Sequence, residues 1–190
     1  MPLNLEDLKK LLVNPEEALL NAAKKKNINE ALVILVLNSI LISVALGISL
    51  KDYSLIPGVL VAGIIGVLFS AFLLQVAFSI IGGKGKYVDA LISLTYPFFG
   101  FSFSFLIVSL ISFYSSYASI IAGVILFLVY WIVSLVGMVR VLKESYKLDI
   151  ITVWITVSLV MLAAALTIYT IAILALPGSF LTSFHLYPYR

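Results

Sequence analysis

Only one stretch of the chain combines backbone freedom with paired charge: Gly82-Gly83-Lys84-Gly85-Lys86, followed by Tyr87-Val88-Asp89-Ala90. Glycines next to lysines are the residue types that cradle phosphates, so nucleotide binding is the first chemistry to test. A phosphate loop needs Ser or Thr directly after its lysine and a strand before its first glycine. Here Gly85 follows Lys84, and an apolar run long enough for a helix precedes Gly82. The dinucleotide fingerprint fails too, because no glycine stands three places after Gly85. The expectation is therefore a turn between two helices, with Asp89 favourable in the first turn of the second one. Its sharper reading is a docking loop for a partner protein or a lipid headgroup, carried by Gly82, Gly83, Lys84, Gly85, Lys86 and Asp89.

The rest of the inventory for catalysis is thin. The chain has no cysteine and one histidine, His185. A thiolate site is excluded and a histidine-based metal or catalytic site is not expected. No paired carboxylates and no nucleophile beside a base are found, so the chain reads as non-enzymatic and without a cofactor or metal. Asn38 and Gln75 are the side-chain amides of the apolar runs, each expected to make one hydrogen bond between helices. Ser93, Thr95, Tyr96, Ser102, Ser104 and Ser109 make one run richer in hydroxyls, and Pro97 lies inside it. Packing is the first reading of these groups; lining a small polar cavity at Thr95, Tyr96 and Pro97 is the second.

The elements that hold these residues are set by composition. Of 190 residues, 63% are hydrophobic and 11% charged, with a mean hydropathy of +1.19. A soluble domain carries about a quarter charged residues. The apolar surplus exceeds what a core of this size hides, so lipid is the expected solvent and an all-α bundle the expected fold. A bilayer core takes roughly 20 apolar residues per helix. Five spans fit, at about 31–50, 56–81, 88–113, 118–139 and 150–176, with polar turns at Lys51–Ser54, Gly82–Tyr87, Tyr114–Tyr117 and Arg140–Lys147. With the N-terminus inside, ten of the twelve Lys and Arg fall on the inner side, leaving Lys51 and Arg190 outside. The net charge of +3 is thus a membrane signal rather than a nucleic-acid one.

Residues 1–29 read as a cytoplasmic or interfacial amphipathic arm without signal-peptide character, 30–178 as the membrane domain and 179–190 as a short tail on the far side. In the arm, Leu3, Leu5, Leu8, Leu11 and Leu12 keep helical spacing with Asn4 as a cap. Asn14-Pro15-Glu16-Glu17 opens a second helix that Lys24-Lys25-Lys26 closes. In the second span Gly58, Ala62, Gly66 and Ser70 recur every fourth place, and Ser39, Ser43 and Gly47 do so in the first. Such stripes let a neighbouring helix approach closely. Pro97 should kink or break the third span, which lipid tolerates only where neighbours satisfy the freed carbonyls.

Three features together resemble the Yip domain family, integral membrane proteins that interact with Rab-type small GTPases: Asn14-Pro15-Glu16-Glu17-Ala18, the stretch Gly82–Leu91 followed by Tyr96-Pro97, and five spans with a short outer tail. The resemblance implies five membrane helices, a cytosolic N-terminus and, in eukaryotic members, a part in vesicle traffic through small GTPases and related membrane proteins. Those members carry a longer N-terminal region with a DLYGP stretch, absent here; the compact loops look like a prokaryotic, archaeal member in the plasma membrane. The function expected is a membrane adaptor or scaffold with the lipid bilayer and a membrane-protein partner or a second copy as its contacts. The alternative is a small transporter or channel subunit.

Overall fold

A computed structural model describes residues 9–12 and 15–175. Among them every regular element is helical: residues 9–12, α1 Pro15–Lys25, α2 Ile28–Leu50, α3 Leu55–Ile80, α4 Tyr87–Thr95, α5 Phe98–Ile111, α6 Ser116–Tyr146 and α7 Ile150–Ala175. α4 and α5 are the two halves of one broken span. Counted that way, five segments are long and apolar enough to cross a bilayer. The expectations for Asn4, Asn14, His185 and the tail fall outside the described residues.

The broken third span is the centre of the bundle. α4 packs on α1, α2, α3 and α6, while α5 lies between α2 and α6. Seven of the nine α4 residues, Asp89 to Thr95, are buried. Around it the usual distribution is inverted. Large apolar side chains such as Val61, Ile65, Phe72, Ile121, Phe127 and Leu159 face outward, while Asn38, Ser43, Asp89, Ser93, Thr95, Ser102 and Ser134 are buried. That is the arrangement lipid selects: polar groups turn inward and apolar side chains face out. The chain is a multi-pass membrane helical bundle.

The helix start at Ser116 is capped by the Ser115 hydroxyl, which accepts from the Ala118 N–H at 3.2 Å. Two expectations are corrected. Arg140–Lys147 is not a loop; α6 continues to Tyr146 and stops at Lys147 in the left-handed region (φ 58°). Leu, Lys and Glu are good helix formers, and Arg140 pairs with Glu144 one turn on. At about 1.5 Å per residue, 31 residues span about 46 Å, well beyond a hydrocarbon core of about 30 Å. α6 is therefore longer than a hydrocarbon core needs. Gly58 and Gly66 make no tight helix contact either. A Cβ on Gly58 or Gly66 would meet nothing within 4 Å. The row of α3 that faces the bundle is Ala71, Leu74 and Phe78, and the close approach is made by α2, where a Cβ on Gly47 would come within 2.8 Å of Ile56.

The break at Pro97 is held from two sides. Pro97 cannot donate to a helix and its ring blocks the previous turn. The Thr95 carbonyl accepts from Asn38 Nδ2 of α2 at 2.7 Å, and the Pro97 carbonyl accepts from the Ser134 hydroxyl of α6 at 2.7 Å. Both bonds are buried. Replacing Asn38 by Leu leaves the Thr95 carbonyl without that partner in a dry environment, so the bundle should lose about 1–2 kcal/mol. Unfolding of purified protein in mixed micelles measures this. An unchanged midpoint would mean the break does not depend on α2.

Candidate functional site

The glycine-lysine stretch is wrapped round one side chain that the sequence placed in a loop, Tyr146. Gly82, with φ +86°, turns the chain out of α3 in a conformation other residues rarely adopt. The segment then runs extended, so alternate residues face opposite ways. Gly83 and Gly85 face in, against the Tyr146 ring: a Cβ on Gly83 would lie 2.9 Å from the ring and one on Gly85 2.7 Å from it. Lys84 and Lys86 face out and are exposed. On its other side the fully buried Tyr146 ring packs on Phe78, with centroids 4.6 Å apart.

Hydrogen bonds lock this arrangement. The Gly83 N–H donates to the Phe78 carbonyl at 2.8 Å and the Lys84 N–H to the Tyr146 carbonyl at 3.1 Å. The Tyr146 hydroxyl donates toward Gln75 Oε1 at 2.5 Å and lies 3.1 Å from the Lys86 carbonyl. Gln75 Nε2 faces the Gly85 carbonyl at 3.3 Å and the Ser79 hydroxyl at 3.0 Å. The turn expected between the second and third spans is thus tied to the bundle, because α3, α6 and the loop share one buried phenol.

Asp89 closes the loop from below. Its carboxylate is wholly buried; Oδ2 accepts from the Lys86 N–H at 2.8 Å, which caps the start of α4. Lys26, just past the end of α1, places Nζ 3.0 Å from Oδ2 and 2.9 Å from Oδ1. The directed bonds all fall on Oδ2; toward Oδ1 the ammonium is close but misaligned. The lysine end of the pair is half exposed and the carboxylate end wholly buried. This pair ties the arm to the bundle. Leu19 adds to it: its methyl sits where a Cβ on Gly137 would be, 2.8 Å away, beside Pro97. The arm is a docked helix packed on α4 and α6.

The other sequence candidates lie apart from this loop. Tyr96-Pro97 is one α4 length away, about 13 Å at helical rise. The hydroxyls of Ser93, Thr95, Ser102, Ser104 and Ser109 each donate to a carbonyl three or four residues earlier, at 2.7–2.9 Å. A cavity of about 370 Å³ opens between α2, α3 and the broken span, lined by Asn38, Ser39, Gly63, Gly66, Ser70 and Thr95 among mostly apolar side chains. Asn38 spends its amide N–H on the Thr95 carbonyl and leaves Oδ1 buried without a partner. Sequence reasoning missed Tyr146 and Lys26. The signal for Tyr146 was the spacing of Gly83 and Gly85, which puts two bare backbones on one side of an extended strand of chain. Among the described residues no three His, Asp or Glu converge as a metal site would need.

Comparison of the chain with protein-family models, curated proteins and solved structures gives no match.

Two measurements test the loop. Tyr146→Phe keeps the ring and removes the hydroxyl, so stability should fall by about 1 kcal/mol with faster amide exchange at Lys84. Gly85→Ala forces a Cβ into the ring and should cost more, about 2 kcal/mol. The reverse order would show that the ring contact is loose. At the start of α7, the exposed Asp149 carboxylate is held below its usual pKa by the Thr152 hydroxyl and then the Thr152 N–H. A lowered folded pKa means the cap is in place above the ordinary carboxylate range and is lost as pH falls through the folded value. Amide exchange at Thr152 should accelerate on acidification, and Asp149→Asn should remove that dependence.

Proposed function

We propose that this chain is a non-enzymatic membrane adaptor whose Gly82–Lys86 loop docks another membrane protein. The observation that carries the reading is the pairing of a pinned backbone with outward charge. Lys84 and Lys86 are exposed on a loop whose main chain is fixed by Tyr146, Phe78 and Gln75. A preorganised loop loses little conformational entropy on binding. Lys143 and Lys147 are exposed at the adjoining end of α6, so the surface favours an acidic partner. In this reading the arm, the Gly82–Lys86 loop and the α6 end are cytoplasmic, and the last helix ends on the other side. The membrane is the plasma membrane of a prokaryote. The Yip-like features support a traffic or membrane-organising role, with a membrane protein, a second copy or a small GTPase as partner.

The test is crosslinking in the native membrane followed by purification in mild detergent, on wild type and on Lys84→Glu/Lys86→Glu. A specific neighbour lost in the double variant supports docking at the loop. Capture of the same neighbour by both proteins, or of none by either, overturns it.

A second reading, a transporter or channel subunit, is favoured by the 370 Å³ cavity and the unpartnered Asn38 oxygen. It requires solute flux in proteoliposomes that falls in Ser39→Ala/Ser70→Ala. Vesicles that stay sealed under imposed solute gradients would exclude it.

A further inference from the structure

A second basic feature lies away from the loop, between the arm and the bundle. A cleft of about 330 Å³ is lined by Lys10, Lys24, Lys25, Glu30, Leu11 and Tyr96, with Asn21 among the remaining lining residues. The three lysines are exposed, whereas Leu11 and Tyr96 are buried, at 4% and 6%. The exposed part of the lining is therefore mainly cationic, and its buried part is formed by side chains with large apolar surfaces. Three ammonium groups share the lining with one carboxylate, and Glu30 already accepts from Asn27 Nδ2 at 3.1 Å. The neighbouring Lys26 is committed to Asp89. The excess charge of the lining is thus unspent within the described residues.

The position of the cleft narrows the ligand. Lys24 and Lys25 end α1 three residues before Ile28, where the first apolar span begins. In a bilayer crossed by that span, headgroups would lie at this level. The walls are built from the arm, held in place by Leu19 on α6 and by the Lys26–Asp89 pair. A soluble phosphate would use the lysines and leave the buried apolar surfaces unused. A molecule with a phosphate ester at one end and a hydrocarbon body at the other uses both. We infer that the cleft between the arm and the bundle binds the phosphate headgroup of an anionic phospholipid, with Lys10, Lys24 and Lys25 as its cationic contacts. The site is separate from the loop of Lys84 and Lys86, so it stands or falls independently of the docking reading.

The test uses the full chain in detergent, with phosphatidylglycerol and phosphatidylcholine added in turn, and native mass spectrometry to count retained lipids. Wild type should keep one phosphatidylglycerol through delipidation and not keep phosphatidylcholine. Lys10→Gln/Lys24→Gln/Lys25→Gln should bind phosphatidylglycerol at least tenfold more weakly, with its unfolding midpoint without lipid unchanged. Lys143→Gln/Lys147→Gln, at the same end of the bundle but outside the cleft, should bind as wild type. Equal retention of both lipids, or equal loss in the two variants, would overturn the inference. So would inorganic phosphate displacing the lipid at equal concentration, since that would make the site one for free anion.

Discussion

The arrangement of one whole end of the bundle depends on one buried carboxylate. Asp89 has no exposed surface, and a bare carboxylate in that position would cost several kcal/mol. It is tolerated because the Lys86 N–H and the Lys26 ammonium both reach Oδ2. Each of those groups belongs to a different element. One comes from the glycine loop and sets where α4 starts. The other comes from the end of the arm and sets where α1 lies. A single acid therefore fixes the loop, the central helix and the arm relative to one another, and the Tyr146 phenol adds α3 and α6 to the same assembly. The outward row of Lys84 and Lys86 and the inward row of glycines follow from this anchoring.

The spans were legible because a bilayer demands a simple thing of sequence: about 20 apolar residues with no charge between them. The break at Pro97 was legible for a similar reason, since a missing N–H has an effect that does not depend on context. The need for outside partners at that break could be argued from the sequence, and Asn38 stood out as an amide in an apolar run. Which hydroxyl would serve the second carbonyl could not, because Ser134 is one of many serines and only the packing of α6 on α5 selects it.

What the sequence obscured has physical causes. Tyr146 sits in Lys-Glu-Ser-Tyr-Lys, a polar run that reads as a turn by hydropathy, yet its helix formers extend α6 past the length of a hydrocarbon core. Hydropathy locates the membrane, not the end of a helix. The stripe of Gly58, Ala62, Gly66 and Ser70 misled in another way. Small residues remove bulk from one face, but they do not say whether a helix, a cavity or lipid fills the space, and part of this stripe borders a cavity. The docking of the arm depended on Leu19 meeting a glycine 118 positions later, Gly137, a pairing no local pattern carries.

The two clamps on the broken span differ in where they lie along the chain. The donor to the Thr95 carbonyl, Asn38, is 57 residues upstream and is already made when the third span emerges from the ribosome. The donor to the Pro97 carbonyl, Ser134, is 37 residues downstream and is not. A chain that ends before Ser134 therefore holds the donor for one clamp and lacks the donor for the other, so the full set of contacts at the break needs the fourth segment as well as the first.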